Sequence, residues 1–248
     1  VVANLAMLIP GLVAAAAARW LFQEPVRQVL GLRWVFDRWL AVAWVLPVVV
    51  SLAVLLLGIA LPGASYSPEL VGLRERFQLS DEQLRQLAPP MGPLPLLGSL
   101  VVQALLLGPT LCALAGLGEE AGWRGLLLYA LRDWGFWRRS WFIGLLWGAW
   151  HLPLVFEGYG YPNHRALGAS MLLVFTLLAS PLYVFLRERS GSVLAPAVCH
   201  GSFSASMLLT FAPVAGGGEL TSGLMALPGI LTMLALNLVL VFARRERE

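Results

Sequence analysis

Seven stretches of this chain, 1–22, 39–62, 95–117, 141–156, 167–186, 191–211 and 221–242, are apolar and almost free of charge. About 20 mostly apolar residues is what a helix needs to cross the hydrocarbon of a membrane. Only 12% of the residues are charged, about half the roughly 25% of a soluble domain, and mean hydropathy is +0.76. The expected fold is therefore all-α: a polytopic helical membrane bundle of seven or so spans, read as one domain over 1–248. The fourth stretch is short. The third runs on past two glutamates into Gly125–Leu131, as one long tilted helix or as two helices broken near Gly108-Pro109.

Loop charge orients these spans. Segments 23–38, 132–140, Arg187-Glu188-Arg189 and the tail Arg244-Arg245-Glu246-Arg247 are rich in arginine and are expected in the cytosol. The alternate loops are poorer in net positive charge: 63–94 balances Arg74, Arg76 and Arg85 against four acids, and 157–166 and 212–220 carry little charge. Arginines scattered over short loops form no basic stripe, so nucleic acid is excluded as a partner and membrane lipid is the expected surroundings. No charged n-region precedes the first apolar run, so no cleavable signal peptide is expected. Ser80 followed by Gln83 predicts a capped surface helix ahead of Pro89-Pro90. Trp34, Trp39, Trp137 and Trp141 read as an interfacial belt, and Cys112 and Cys199 as buried small side chains without a disulfide.

Against this background Glu119-Glu120-Ala121-Gly122-Trp123-Arg124 stands out, because charge inside hydrocarbon is costly and marks function by default. Glu120 and Arg124 are i,i+4 neighbours and are expected to pair. Glu119 points about 100° away and is left to face something else. Counted inward from the arginine loops at 1.5 Å per residue, Glu119 lies about 20 Å deep, His151 about 18 Å and His200 about 15 Å. Three ionisable groups on three spans thus reach one level, where such groups face a bundle interior or a wet cavity. Trp147 lies one turn before His151 and is expected to wall that cavity; Ser204 lies one turn after His200. His164 falls in a loop and reads as structural.

A carboxylate with two histidines and no strong nucleophile suits activation of water, the carboxylate acting as base and the other groups donating to an oxyanion. A zinc ion held by Glu119, His151 and His200 is an open alternative at this stage, and no other cofactor is implied. Cys199 beside His200 does not make a cysteine protease, since i,i+1 side chains on a helix do not face each other. No His-Glu-x-x-His helix occurs.

These residues resemble the CAAX prenyl endopeptidase and bacteriocin-processing family of intramembrane proteases, also called CPBP or Abi. Its Glu-Glu-x-x-x-Arg motif matches Glu119, Glu120 and Arg124; its aromatic-x-x-x-His motif matches Trp147 and His151; its His-x-x-x-Asn motif matches His200 but finds Ser204. The resemblance covers 119–204, inside a motif-bearing core of about 95–211. It implies eight spans around a cytosol-facing cavity, water activated by Glu119 with His151, and an oxyanion held by His200 and the residue at 204. It also implies a hydrophobic or lipidated peptide substrate cut near the cytosolic face of a prokaryotic plasma membrane. The rival from another class is a non-catalytic binding or immunity protein, or a proton-coupled transporter using the same groups as a relay. A transporter favours internal repeats with broken half-helices, and none is found.

Overall fold

The computed structural model of the chain describes residues 6–87 and 91–245. Pro89-Pro90, Glu246 and Arg247 lie outside the described residues, as does the start of the first apolar stretch. The described chain is helical almost throughout: α1 Ile9–Trp20, α2 Val26–Leu30, α3 Arg38–Ile59, α4 Val71–Phe77, α5 Asp81–Leu87, α6 Pro93–Ala130, α7 Phe136–Phe156, α8 Arg165–Ser190, α9 Leu194–Ser206 and α10 Leu227–Arg245. A two-residue antiparallel ladder joins β1 (Ser65–Tyr66) to β2 (Val214–Ala215).

Four helices among the described residues, α3, α6, α8 and α10, are long and apolar enough to cross a membrane. The stretches 1–22, 141–156 and 191–211 hold α1, α7 and α9, which join the same two ends of the bundle without meeting that criterion of length and composition. Local chemistry sets the boundaries. The Asp37 carboxylate caps α3 by accepting from the N–H groups of Trp39 and Leu40 at 2.9 and 3.0 Å. The expected box at Ser80 forms in full: Ser80 N–H donates to Gln83 at 2.8 Å, and Gln83 N–H donates back to the Ser80 hydroxyl at 3.2 Å.

The third apolar stretch resolves as one helix. Instead of breaking at Gly108-Pro109, α6 widens there into π-helical turns over Gly108–Cys112, and again over Ala121–Leu127 just beyond the two glutamates. Pro109 has no N–H to give to the preceding turn, and a wider turn absorbs that loss without ending the helix. Pi-type turns of this kind recur at functional sites.

The arginine-rich segments meet at one end of the bundle. Arg33 donates to the Ser190 carbonyl at 2.9 Å, Val193 N–H to the Gly31 carbonyl at 3.0 Å, and Arg244 to Glu188 at 2.9 Å; Arg139 also pairs with Glu188. The arginine-poor loops close the other end. Glu219 accepts from Asn163 N–H at 3.1 Å and meets His164 at 2.5 Å, while Arg76 donates to the Ser222 carbonyl at 2.7 Å. The structural reading of His164 fits that contact. The Tyr161 hydroxyl donates to the Met225 carbonyl at 2.5 Å, and burial pushes its pKa above the ordinary tyrosine value, which keeps the donor protonated.

Small residues let α9 approach α6 closely enough to set the site. A Cβ on Gly201 falls 2.3 Å from both the Ala113 nitrogen and the Gly108 carbonyl oxygen, and one on Gly116 falls 3.1 Å from the His200 Cβ. Cys199 is buried on the same helix, whereas Cys112 is only half-buried. Gly201→Ala is expected to push α9 off α6 and lower the melting temperature, at an overpacking cost of about 1–3 kcal/mol. Gly135→Ala, where a Cβ meets nothing within 4 Å, is the control. Equal melting temperatures for the two variants contradict the close-approach account.

Candidate active site

The two adjacent glutamates face different partners, and that division organises the site. Glu120 and Arg124 are both fully buried, and Arg124 Nη1 donates to both Glu120 oxygens at 3.0 and 3.1 Å. Their spacing on α6 brings them together, as expected of i,i+4 residues. The same carboxylate also takes His200: its Nδ1 lies 2.9 Å from Glu120 Oε1. The sequence reading grouped His200 with Glu119 by depth alone, and depth does not say which carboxylate a ring faces.

Arg124 is held by aromatic faces as well. Its guanidinium carbon lies 4.7 Å from the Trp147 ring centroid and 4.5 Å from that of Tyr183. Two desolvated cation–π contacts of this kind stabilise on the order of 2 kcal/mol each. Tyr183 was not singled out from sequence, because one tyrosine in the apolar run of α8 carries no spacing signal; its neighbours across the bundle supply its role.

Glu119, only 1% exposed, is held by tryptophans. Trp147 Nε1 donates to its Oε2 at 2.9 Å, and Trp123 Nε1 approaches the same oxygen at 3.4 Å. Trp123 is four residues on from Glu119, so the i,i+4 rule that found Arg124 reaches it too. Oε1 is left for His151, whose Nε2 lies 3.7 Å away. The tautomer of His151 follows from its other nitrogen, which sits 2.9 Å from the Trp147 carbonyl. A carbonyl only accepts, so Nδ1 carries a hydrogen, and in the neutral ring Nε2 offers a lone pair toward Glu119. Two acceptors then face each other across a gap that one donor molecule, such as water, can bridge.

Glu119, Trp147, His151, His200 and Ser204 line one cavity of about 340 Å³. Ser204 is exposed to it, and its hydroxyl makes no hydrogen bond to a described group. The remaining lining is mostly apolar and includes Met7, Leu154, Tyr159, Met207 and Met225. These belong to the arginine-poor end of the bundle, and none of the described lining residues comes from 23–38, 131–140, 187–193 or 243–245. The lining thus lies toward the end of the bundle opposite the arginine-rich loops.

The zinc alternative can be tested on the donors. His200 is turned to Glu120, and the Nδ1 of His151 is taken by its own helix. Among the described residues no group of three or more His, Cys, Asp and Glu side chains is placed to hold a metal ion. Glu119, His151 and His200 therefore do not fit as a ligand set in this arrangement.

Residues 101–206 match the family described as type II CAAX prenyl endopeptidase Rce1-like, a segment that contains Glu119, Glu120, Arg124, Trp147, His151, Tyr183, His200 and Ser204. The resemblance drawn from the three motifs is therefore met over that segment. No curated protein and no solved structure matches the chain.

If the Tyr183 ring is what supports Arg124, Tyr183→Phe should leave the unfolding free energy within about 0.5 kcal/mol of the parent, whereas Tyr183→Leu should cost about 2 kcal/mol or more. Thermal unfolding of the purified variants checks this. Equal losses for both would assign the role to the hydroxyl instead.

Proposed function

We propose that the chain is an intramembrane endopeptidase of CAAX-protease type, in which Glu119 activates the water that hydrolyses a peptide bond. The observation that carries this reading is the state of Glu119: buried on the cavity wall, one oxygen held by Trp147 at 2.9 Å and the other facing His151 Nε2 across 3.7 Å. A water donating one hydrogen to each acceptor is aimed by both, and its oxygen is left to attack.

The steps balance without a further reactant. The water oxygen bonds to the peptide carbonyl carbon while Glu119 takes a proton, and the carbonyl π electrons move onto oxygen. Collapse of this tetrahedral intermediate breaks the C–N bond, and the proton held by Glu119 passes to the departing amine. The products are one carboxylic acid and one amine, which exchange a proton to become carboxylate and ammonium.

His200 and Ser204 suit the developing oxyanion. With Nδ1–H directed at Glu120, His200 donates from Nε2 only as the imidazolium. Ser204 offers one O–H from the next turn. Tryptophan and methionine around the site favour a hydrophobic peptide, with a lipid substituent as one form it can take.

The division of roles between the glutamates is testable. Glu119→Gln should abolish turnover of a cleavable reporter in protein whose melting temperature is nearly that of the parent. Glu120→Gln strands Arg124 and His200, so it should lower stability by about 3–5 kcal/mol and activity with it. Complete loss at both positions with unchanged melting temperatures contradicts the assignment.

Ser204 gives a second test. A directly acting oxyanion donor contributes about 100- to 1000-fold, and a shorter group acting through water contributes less. Ser204→Ala should lower turnover roughly tenfold, and Ser204→Asn should retain or raise it, since the amide reaches farther along the same direction. A silent alanine with a damaged asparagine means the hydroxyl has no part in the chemistry.

A further inference from the structure

A second cavity lies toward the arginine-rich end, and the proposed chemistry does not use it. It has a volume of about 540 Å³ and is walled by α3, α6 and the first turns of α9, within the roughly 300–1,000 Å³ of sites that take small ligands. Leu40, Trp44, Leu114, Leu117, Leu194 and Val198 make much of its surface hydrocarbon. Asp37, Thr110 and Trp44 turn their polar atoms to the protein's own backbone. The Asp37 carboxylate accepts from the N–H groups of Trp39 and Leu40, the Thr110 hydroxyl donates to the Leu106 carbonyl at 2.6 Å, and Trp44 Nε1 donates to that of Leu105 at 2.8 Å. Along α3 the wall runs from Asp37 to Trp44, about 10 Å and so about two thirds of the roughly 15 Å depth of one leaflet. An apolar chain suits such walls.

Two arginines stand beside it. Arg33 directly precedes Trp34 of the lining, and Arg187 lies in the last turn of α8, from which the chain leads through Gly191 into Leu194 of the lining. The two segments are pinned together: Ser192 Oγ donates to the Arg33 carbonyl, and Val193 N–H to the Gly31 carbonyl at 3.0 Å. The packing is reciprocal. Gly31 and Gly191 end α2 and α8 at φ +65° and +66°; a Cβ on Gly31 would collide with the Arg187 guanidinium, and one on Gly191 would fall 2.8 Å from Arg33 Nη2. The fold thereby holds two cations close enough to repel each other. Arg33 Nη2 donates to the Ser190 carbonyl at 2.9 Å, whereas Arg187 makes no hydrogen bond to a described group and its enclosed Nε is left without a partner. Glu188 beside it is taken by Arg139 and Arg244.

Like charges held together with unused donors are complementary to an anion, and guanidinium groups match phosphate oxygens in geometry. A groove alone accepts any apolar chain, and arginines alone accept any anion; the two side by side select a molecule that has both parts. We infer that this end of the protein holds one anionic phospholipid of the surrounding leaflet, its phosphate on Arg33 and Arg187 and one acyl chain in the groove between α3 and α6. Trp34 and Phe36, 79% and 90% exposed, stand where headgroup and hydrocarbon meet. The groove also backs on the site. Ala113, Leu117 and Ala197 line it, and Gly116 packs against the Ala197 carbonyl and the His200 Cβ. A bound chain therefore braces the α6–α9 contact that seats His200, whatever reaction the site performs.

Lipid titration of the full chain, delipidated in a mild detergent, tests this. Phosphatidylglycerol, phosphatidylcholine with the same acyl chains, and inorganic phosphate are added separately; native mass spectrometry counts the lipid retained, and thermal unfolding gives the melting temperature. The expected result is one phosphatidylglycerol retained at concentrations where phosphatidylcholine is not, with a rise in melting temperature that phosphate alone does not reproduce. Arg33→Gln and Arg187→Gln should each weaken phosphatidylglycerol binding about fivefold and leave phosphatidylcholine unchanged. Ala41→Phe, at an exposed position of the groove, should weaken it with both arginines in place. Melting temperatures without lipid separate lost binding from lost fold, and the exposed Arg33 carries the test if Arg187→Gln does not fold. Equal retention of the two lipids, a phosphatidylglycerol preference untouched by the arginine variants, or no effect of Ala41→Phe overturns the inference. So does equal protection by phosphate alone, which assigns a free-anion site, or displacement of the lipid by an equal concentration of an apolar peptide carboxylate, which assigns a peptide site.

Discussion

One carboxylate inside the membrane bears most of the structural burden of this protein. Glu120 accepts from Arg124 through both oxygens and from His200 through one, with all three side chains buried. An isolated charge at such a depth costs several kcal/mol, and only a partner with good geometry offsets that. Here the partner comes with two aromatic faces, Trp147 and Tyr183, that take up the guanidinium where hydrogen-bond acceptors are lacking. Those rings belong to α7 and α8, and His200 to α9, so one charge on α6 ties four helices together.

The consequence for chemistry is a separation of labour between neighbours in sequence. Because Glu120 is committed to Arg124 and His200, the adjacent Glu119, turned about 100° around the helix, is left with tryptophan N–H groups and the lone pair of His151. Glu120 is occupied by buried partners through both oxygens, whereas Glu119 is held by tryptophan N–H groups through one oxygen and keeps the other on the cavity wall. Close helix contact makes the arrangement possible. Gly201 on α9 lies against Ala113 and Gly108 on α6, and Gly116 lies against His200, so larger residues there would move the ring from the carboxylate.

Much of this was legible in the sequence, for identifiable reasons. The i,i+4 rule is local, so it found the Glu120–Arg124 pair and reaches Glu119–Trp123; the serine and glutamine of the α5 cap are local in the same way. Alternating loop charge matched the two ends of the bundle because short loops leave little choice of side. What failed was three-dimensional. Depth along a helix placed His200 level with Glu119 but could not choose between carboxylates 100° apart. The open zinc alternative finds no ligand group among the described residues for the same reason. Tyr183 has no sequence neighbour that marks it.

The claim on which the account turns is that Glu120 and Arg124 act as one structural unit, leaving Glu119 free for chemistry. A double-mutant cycle on melting temperature tests it most directly, using Glu120→Gln, Arg124→Met and the two combined. A stranded buried charge is what makes each single change costly, so removing both charges should restore part of the stability that either removes. The account predicts a combined loss clearly smaller than the sum, by about 1–3 kcal/mol. Strictly additive losses would contradict it, because the two side chains would then contribute independently and Glu119 would have no special claim to be the free carboxylate.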